Sequence, residues 1–168
     1  MTRDGSPSLE SDRWGCAFHS RHGALTEALH VYIAQGLEYV GQKPFSEFKV
    51  LEMGAGTGFN AALAAEWALK HRQKLSYTGI DLALPSDSEW EAWKSGWPVV
   101  PSWMPIAESL REAWIRSEVY EDEWVKATFV QGQAPEVALP GDMHCVFYDA
   151  LDRKSTRLNS SHLVISYA

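Results

Sequence analysis

Three glycines at alternate positions form the stretch of this chain best suited to holding a ligand. An apolar run leads into Gly54, Gly56 and Gly58, and an alanine-rich segment follows them. Because glycine has no Cβ, the backbone here can adopt positive φ angles and a ligand can approach it closely. A strand, a glycine loop and a helix in this order cradle phosphates or nucleosides.

The glycine spacing narrows the kind of ligand. A dinucleotide loop, G-x-G-x-x-G, needs glycine where this chain has Phe59, and the Gly-Lys-Ser/Thr of a P-loop is absent. The remaining pattern, an acid followed by G-x-G-x-G from Glu52 to Gly58, resembles the first motif of S-adenosylmethionine (SAM)-dependent methyltransferases. A carboxylate is tolerable beside a sulfonium ligand, whereas it would repel a pyrophosphate. The alternative is a glycine-rich turn in any α/β protein.

A second strand supports a nucleoside ligand. The run from Leu75 to Asp81 ends on a carboxylate about 20 residues after the glycine loop, where a ribose-binding acid is expected. We therefore predict that Asp81 accepts hydrogen bonds from ribose hydroxyls. The alternative role for Asp81 is a helix N-cap or a turn.

The hydrophobic pattern predicts the elements that would position these residues. Apolar positions at three- and four-residue steps predict a helix from Ala24 to about Tyr39, and Gly41 and Pro44 follow it. The other predicted elements are strands over Phe48–Met53, Ala127–Gln131 and His144–Asp149, and a helix over Phe59–Arg72. Strands that alternate with helices predict an α/β fold with a doubly wound parallel sheet.

Residues 86–124 read as a tryptophan-rich helical insertion. Ser86 and Glu89 form a capping box that begins one helix before Gly96, and a second helix is predicted over Trp103–Ser117. Six of the eight tryptophans lie between Trp90 and Trp124. They could stack nucleic-acid bases, but the commoner role, and the one we favour, is a core between the two helices. The acids of 118–123 are interpreted as a solvated face.

Composition indicates one acidic domain. The 168 residues are 45% hydrophobic with a net charge of −7, which does not favour nucleic-acid binding. No apolar run is long enough to span a membrane. Polar residues 1–13 predict a disordered lead-in rather than a signal peptide. Cys16 and Cys145 are expected to be free thiols in a cytoplasmic protein.

A narrower resemblance rests on several segments together. The chain resembles the MnmC-like methyltransferase family, which acts on the wobble uridine of tRNA. The segments that carry the likeness are Ser20–Gly23 with Glu27 and His30–Tyr32, Glu52–Asn60, Thr78–Asp81 and Phe147–Ala150. The resemblance implies SAM-dependent conversion of 5-aminomethyl-2-thiouridine to 5-methylaminomethyl-2-thiouridine. Some members are fused to an FAD-dependent oxidoreductase, of which this chain shows no sign.

The resemblance also implies a set of site residues. Asp149, with Glu27 as the second choice, would steer the proton of an amine that attacks the sulfonium methyl in line. Arg21 and His22 would contact the substrate. The residues implied for the cofactor are Glu52, Gly54, Ala55, Gly56, Thr57, Gly58, Asn60, Asp81 and Gln133. We predict no metal site, because the spacing of His19, His22 and His30 matches no common one. The sequence indicates no oligomeric state.

The chain departs from the family pattern at two places, one after the third strand and one after the fourth. Gln133 stands where an aspartate is usual after the third strand. From about Asp152 the chain is similar to translated sequencing-adapter DNA, and the tail after that residue carries no acids. An ordinary basic tail is the alternative. On the first interpretation, residues 14–151 are a fragment with about four of seven strands and residues 152–168 are artefactual. The fourth strand would then be an uncovered edge prone to aggregation, beside which the apolar Leu163–Tyr167 could lie.

Two other functions remain open from the sequence alone. The chain could be a methyltransferase of the same fold with another substrate, because phosphate contacts need Lys and Arg and this chain is acidic. It could also be a non-catalytic domain that binds SAM or a protein partner.

Overall fold

The structure is a computed structural model that describes residues 1–7, 10–11, 16–17, 23–133, 136–149 and 163–166. For 10–11, 16–17 and 163–166 the description covers the backbone alone. The helices are α1 (Ala24–Ala28), a π-helix (Leu29–Glu38) that continues it, α2 (Phe59–His71), α3 (Asp87–Ser95) and α4 (Met104–Ile115). The strands are β1 (Glu10–Ser11), β2 (Cys16–Ala17), β3 (Phe48–Met53), β4 (Leu75–Asp81), β5 (Tyr120–Glu121), β6 (Val125–Gln131), β7 (Cys145–Tyr148) and β8 (Leu163–Ser166).

Six of these strands form one sheet in the order β5-β6-β4-β3-β7-β8. The four central strands are parallel, whereas β5 and β8 lie antiparallel at the two edges. From β3 the chain builds outward through β4 to β6 and then returns to place β7 on the other side of β3. The order therefore reverses between β3 and β7, and such a switch point opens a crevice at the carboxyl ends of the strands.

One face of the sheet packs against helices, and strand alternation decides which side chains reach it. Phe48, Val50 and Glu52 on β3 lie in register with Leu75, Tyr77 and Gly79 on β4. Paired residues point to the same face of a sheet, and these residues are buried. Helix α2 covers this face, with the π-helix and α4 as its neighbours. Glu52 is thus directed into the protein between a glycine loop and a helix.

The first helix is confirmed, but its winding differs from the prediction. A short α-helix passes directly into a π-helix, which is a rare conformation over such a length. The apolar face predicted from the sequence is nonetheless buried and includes Tyr32, Ile33 and Leu37. Nothing in the residue pattern accounts for the wider winding.

Residues 1–7 form a hydrogen-bonded turn where the sequence predicted disorder. The Ser6 hydroxyl accepts a hydrogen bond from the Leu25 amide at 3.2 Å. The Asp4 carboxylate accepts one from the Thr26 amide at 2.9 Å. The first amides of a helix have no partner within it, so this turn caps α1 from a distance along the chain.

The tryptophans between α3 and α4 belong to the core. Trp90, Trp93, Trp103 and Trp114 are buried, and Trp97 and Trp124 pack against them. Helix α3 begins with the predicted capping box at Ser86 and ends before Gly96. Helix α4 packs on α2 and on β6, so this segment also provides the crossover that parallel β4 and β6 require.

Candidate functional site

The glycine loop turns away from the sheet immediately after β3. The amides of Gly54 and Ala55 donate to the Ile80 carbonyl oxygen at 2.8 and 3.2 Å, which holds the loop against the end of β4. All three loop glycines have positive φ angles, of 93°, 50° and 76°. At Gly58 an added Cβ would lie 3.1 Å from the Trp114 ring. The third glycine is therefore explained by packing against α4 as well as by its backbone conformation.

Asp81 holds the glycine loop to the neighbouring strand. Its Oδ2 accepts a hydrogen bond from the Gly56 amide at 2.8 Å, and its Oδ1 accepts one from the Leu82 amide at 2.7 Å. Burial raises the pKa of this carboxyl, and the backbone donors oppose that shift. Asp81 thus lies beside the loop at the carboxyl end of β4, and each of its oxygens already accepts a bond from the backbone.

Glu52 lies beneath the loop rather than on its surface. Its exposed fraction is 0%. The Tyr77 hydroxyl donates to Oε2 at 2.7 Å, and the Asn60 side-chain amide donates to Oε1 at 2.8 Å. Both carboxylate oxygens are therefore bound by protein groups from β4 and α2.

Asn60 links Glu52 to Asp149. The same Nδ2 atom that donates to Glu52 donates to Asp149 Oδ2 at 3.0 Å. Asp149 follows β7, and its own amide donates to the Met53 carbonyl oxygen at 2.9 Å. Tyr32 of the π-helix lies against the Asp149 carboxylate, and its hydroxyl is 3.4 Å from the Tyr148 carbonyl oxygen. Residues from four elements thus meet at the switch point of the sheet.

Burial and neighbouring carboxylates raise the pKa values of several groups in this cluster. Burial raises the pKa of Glu52 to about 8, the charges of Asp149 and Asp81 add to the shift, and the bonds from Tyr77 and Asn60 oppose it. Burial and the nearby carboxylates also raise the pKa values of the Tyr32 and Tyr77 hydroxyls. Negative charge is therefore in excess here, and a cationic ligand would be favoured over an anionic one.

A hollow opens above the cluster. Its empty volume is about 260 Å³, a figure that includes space open to solvent. The described residues that line it are Gly54, Ala55, Gly56, Thr57, Phe59, Asn60 and Asp149. Within this lining, Thr57 Oγ1 and Asn60 Oδ1 are buried polar atoms without a hydrogen-bond partner. Such atoms are rare in native proteins, so each calls for a partner that the described protein groups do not supply.

The predicted site residues differ in where the structure places them. The lining of the hollow includes Gly54, Ala55, Gly56, Thr57, Asn60 and Asp149. Glu52, Gly58 and Asp81 are not part of this lining and support the loop from outside it. Gln133 is exposed at the turn after β6, and its carbonyl oxygen accepts the Glu136 amide. Glu27 lies in α1, close enough to raise the pKa of Tyr32. Arg21 and His22 lie outside the described residues.

Tyr77, Tyr32 and Phe59 belong to the site but were not among the predicted site residues. Tyr77 could have been found, because it alternates with Leu75 and Gly79 along β4 and faces the same side as Glu52. Tyr32 belongs to the His30–Tyr32 segment of the family resemblance, but its position in an apolar helix face predicts only core packing. Within the described residues, no cluster of metal-ligating side chains is found.

Comparison with known proteins finds a similar fold among solved structures. No family model and no curated protein matches the chain. The crystal structure of MnmC2 from Aquifex aeolicus superposes with a TM-score of 0.65 and 24% sequence identity over 90% of this chain. The two share a fold. The likeness agrees with the MnmC-like resemblance of the motifs, and the match covers 48% of the Aquifex chain, so this chain spans about half its length.

Proposed function

We propose that this chain is the cofactor-binding part of a SAM-dependent methyltransferase that acts in the cytoplasm on tRNA. The reaction would convert 5-aminomethyl-2-thiouridine at the wobble position to 5-methylaminomethyl-2-thiouridine. One observation carries the proposal: the glycine loop and Asp149 line a hollow at the switch point of the sheet, and Asp81 lies beside the loop. A membrane location finds no support in the described residues, where no helix is long and apolar enough to span a bilayer.

The chemistry of the hollow fits this cofactor. SAM carries a sulfonium and an ammonium group and no phosphate, and when bound it supplies an electrophilic methyl group. Asp149 at the hollow provides negative charge for the cationic end. The loop backbone from Gly54 to Gly56 would lie against the adenosyl group. Asp81 would accept hydrogen bonds from the ribose hydroxyls. The buried oxygens of Thr57 and Asn60 would accept hydrogen bonds from the ligand.

We propose that Asp149 accepts the proton that the substrate amine loses during methyl transfer. An amine attacks only in its neutral form, so a carboxylate beside the reacting nitrogen can accept the proton that it loses. Asp149 borders the hollow and is held by Asn60 and by the backbone of β3. Glu27 is the second choice, since it lies near Tyr32 on the same side of the site. The main contribution of the protein is to hold the amine in line with the methyl group.

Calorimetric titration of the full chain tests the cofactor. We expect S-adenosylhomocysteine to bind and NAD not to bind, because pyrophosphate would meet the carboxylates. Asp81→Asn should weaken binding by about tenfold, since a ribose contact would lose its charged acceptor. Asp122→Asn, which removes an exposed carboxylate at β5, serves as the matched control. Binding of NAD in place of the adenosyl ligand would contradict the proposal.

A transfer assay tests the substrate. The chain is incubated with methyl-labelled SAM and tRNA that carries 5-aminomethyl-2-thiouridine, and the nucleosides are identified by mass spectrometry. The expected product is 5-methylaminomethyl-2-thiouridine, and Asp149→Asn should reduce its rate at least about 100-fold. Because the Aquifex structure is about twice as long, the product of the full-length gene is assayed in parallel. Binding of the cofactor with no transfer by either protein would support a non-catalytic SAM-binding domain.

The acidic surface favours one alternative substrate class. A net charge of −7 and exposed acids over 118–123 do not attract phosphates. A methyltransferase of the same fold that acts on a small amine or a protein would explain this charge. Labelled methyl groups recovered in a fraction free of RNA from a cell extract would favour this alternative over tRNA.

A further inference from the structure

A chain of hydrogen bonds runs under the glycine loop and ends at the hollow. It passes from the Tyr77 hydroxyl to Glu52, from Glu52 to the Asn60 amide, and from that amide to Asp149. Only its last two members border the hollow. Glu52 was predicted to bind the cofactor, yet both of its oxygens are engaged inside the protein.

Burial of the Glu52 carboxylate is energetically unfavourable, and a contact with the cofactor would not explain why it is buried. A carboxylate removed from water is strongly unfavourable unless it is hydrogen-bonded. A glutamate that contacted the ligand would need an oxygen directed into the hollow, whereas Glu52 has none. Its contacts are instead suited to fixing Asn60, because one amide nitrogen can donate one hydrogen to each of two carboxylates.

We propose that Glu52 is a positioning residue, which acts through Asn60 to hold the Asp149 carboxylate at the hollow and does not itself contact the ligand. The inference rests on the proposed function only where it gives Asp149 a role in the reaction. Asn60 has a fixed orientation as long as Glu52 accepts one of its two hydrogens. The other hydrogen is then directed at Asp149 Oδ2 from the first turn of α2.

The charge on Glu52 affects this arrangement. The groups that face it are Tyr77 from β4, Asn60 from α2, Tyr32 from the π-helix and the more distant carboxylates Asp149 and Asp81. The protonated form of Glu52 leaves Asp149 as the single charge on the Asn60 amide. Ionisation of Glu52 would place two negative charges on one donor, and repulsion would weaken the contact to Asp149.

Carbon-detected NMR titration of the full chain with labelled carboxyl groups tests the contact. We expect the Glu52 resonance to titrate well above the usual range of a glutamate. In Asp149→Asn its midpoint should fall by roughly one pH unit, because a neighbouring charge is lost. Asp142→Asn, which removes an exposed carboxylate, should leave that midpoint unchanged. If the titration midpoint of Glu52 is the same in Asp149→Asn as in wild type, the proposal is overturned, whether or not the chain is active.

Ligand binding and turnover test the assignment of roles. Glu52→Gln preserves an oxygen for the Asn60 amide, so S-adenosylhomocysteine should bind within about twofold of wild type at pH 6.5. A loss of more than about tenfold would mean that Glu52 contacts the ligand and would overturn the proposal. Glu52→Ala should lower kcat with little change in KM for SAM, and Glu52→Gln should restore kcat.

The pH profile separates a positioning role from a purely structural one. The rate of Glu52→Gln relative to wild type should rise several-fold between pH 7 and pH 9, because only wild type acquires the second charge. The ratio cancels the titration of the substrate amine. If Glu52→Ala does not fold, Tyr77→Phe removes one donor while keeping the ring, and it should raise the Glu52 midpoint further. If wild type binds no adenosyl ligand, the proposed function fails and the titration still decides the Glu52–Asp149 contact.

Discussion

Two buried regions of this protein, which meet at the neighbouring residues Phe59 and Asn60 of α2, use opposite kinds of interaction. Beneath the glycine loop, Glu52 and its partners form a polar network of carboxylates, an amide and phenols. Beside α2, the cluster around Trp93 is built from rings, with centroids 5.0 Å from Trp90 and 5.9 Å from both Phe59 and Trp103. Glu52 and Trp93, at the centres of the two regions, are 0% and 1% exposed.

The difference separates what stabilises the fold from what serves the site. Aromatic side chains bury a large apolar area, and their tilted and edge-on contacts add to it. A buried carboxylate destabilises the folded state unless its hydrogen bonds are complete. Sites commonly keep such unfavourable groups because the chemistry requires them. The tryptophan cluster therefore offsets the cost of the polar network, and substitutions in the two regions should have opposite effects on stability.

Trp93→Ala should have the largest effect. Truncating a fully buried aromatic side chain leaves a cavity and costs about 3–5 kcal/mol of the free energy of unfolding. Urea denaturation followed by tryptophan fluorescence measures this loss. Val99→Ala, at a side chain that is 77% exposed, should change it by less than about 0.5 kcal/mol. An equal effect of both variants would show that α3 does not pack as described.

Glu52→Gln should stabilise the protein at alkaline pH. The pKa of Glu52 is about 8 in the folded state and 4.5 as an ordinary glutamate, so the folded state binds the proton more tightly. Stability of wild type is then lost as pH rises from about 4.5 to 8, and each pH unit corresponds to about 1.4 kcal/mol. Glutamine does not titrate. The variant should therefore gain roughly 2–4 kcal/mol relative to wild type between pH 5 and pH 8.

Thermal unfolding of wild type and Glu52→Gln across that pH range measures the gain. Glu47→Gln is the control, because Glu47 lies just before the opposite end of β3 and is only partly buried. If the difference in stability between wild type and Glu52→Gln were the same at all pH values, the raised pKa of the buried Glu52 carboxyl would be wrong.

Gly58→Ala should cost about 1–3 kcal/mol, because it combines a strained backbone with a close contact. Its φ angle is 76°, and the added Cβ would lie 3.1 Å from the Trp114 ring. Gly5→Ala is a matched control, since Gly5 has a φ angle of 79° and nothing within 4 Å of the added carbon. Denaturation of both variants isolates the packing cost as the difference. No difference would mean that Trp114 does not constrain the loop.

Ser86→Ala should have the smallest effect, about 1 kcal/mol, because it removes the N-cap of α3. The Ser86 hydroxyl accepts from the Glu89 amide, and the Glu89 carboxylate accepts from the Ser86 amide at 2.8 Å. Ser109→Ala removes an exposed hydroxyl within α4 and should be nearly neutral. If Ser86→Ala destabilised the chain as much as Trp93→Ala, capping rather than ring packing would hold α3.

The regular elements could be predicted because each has a local cause. Alternating apolar residues give β3 and β4 with their observed bounds, and the capping box gives the start of α3. β5 was missed because acids dominate the stretch around Tyr120, although it pairs with β6. The turn of residues 1–7 was missed because Asp4 and Ser6 cap a helix about 20 residues away. Such a contact depends on the tertiary fold and leaves no local pattern.

The candidate site could be located from sequence but not assembled. The loop glycines and Asp81 marked the ends of two strands, and parallel pairing brings those ends together. The direction of Glu52 follows from alternation, yet its partner Asn60 reaches it only because the glycine loop turns the first turn of α2 back towards it. Tyr32 meets Asp149 across more than 100 residues. Contacts of that range depend on packing between layers, which neither motif spacing nor periodicity contains.

The bond between the Gly56 amide and Asp81 offers a reporter that requires no turnover. A sugar held by Asp81 through Oδ2 would share that oxygen with the amide proton of Gly56. Occupation of the crevice should therefore change how fast that one proton exchanges with deuterated water. A single NMR cross-peak would then show whether a nucleoside has arrived, even in a chain that transfers nothing.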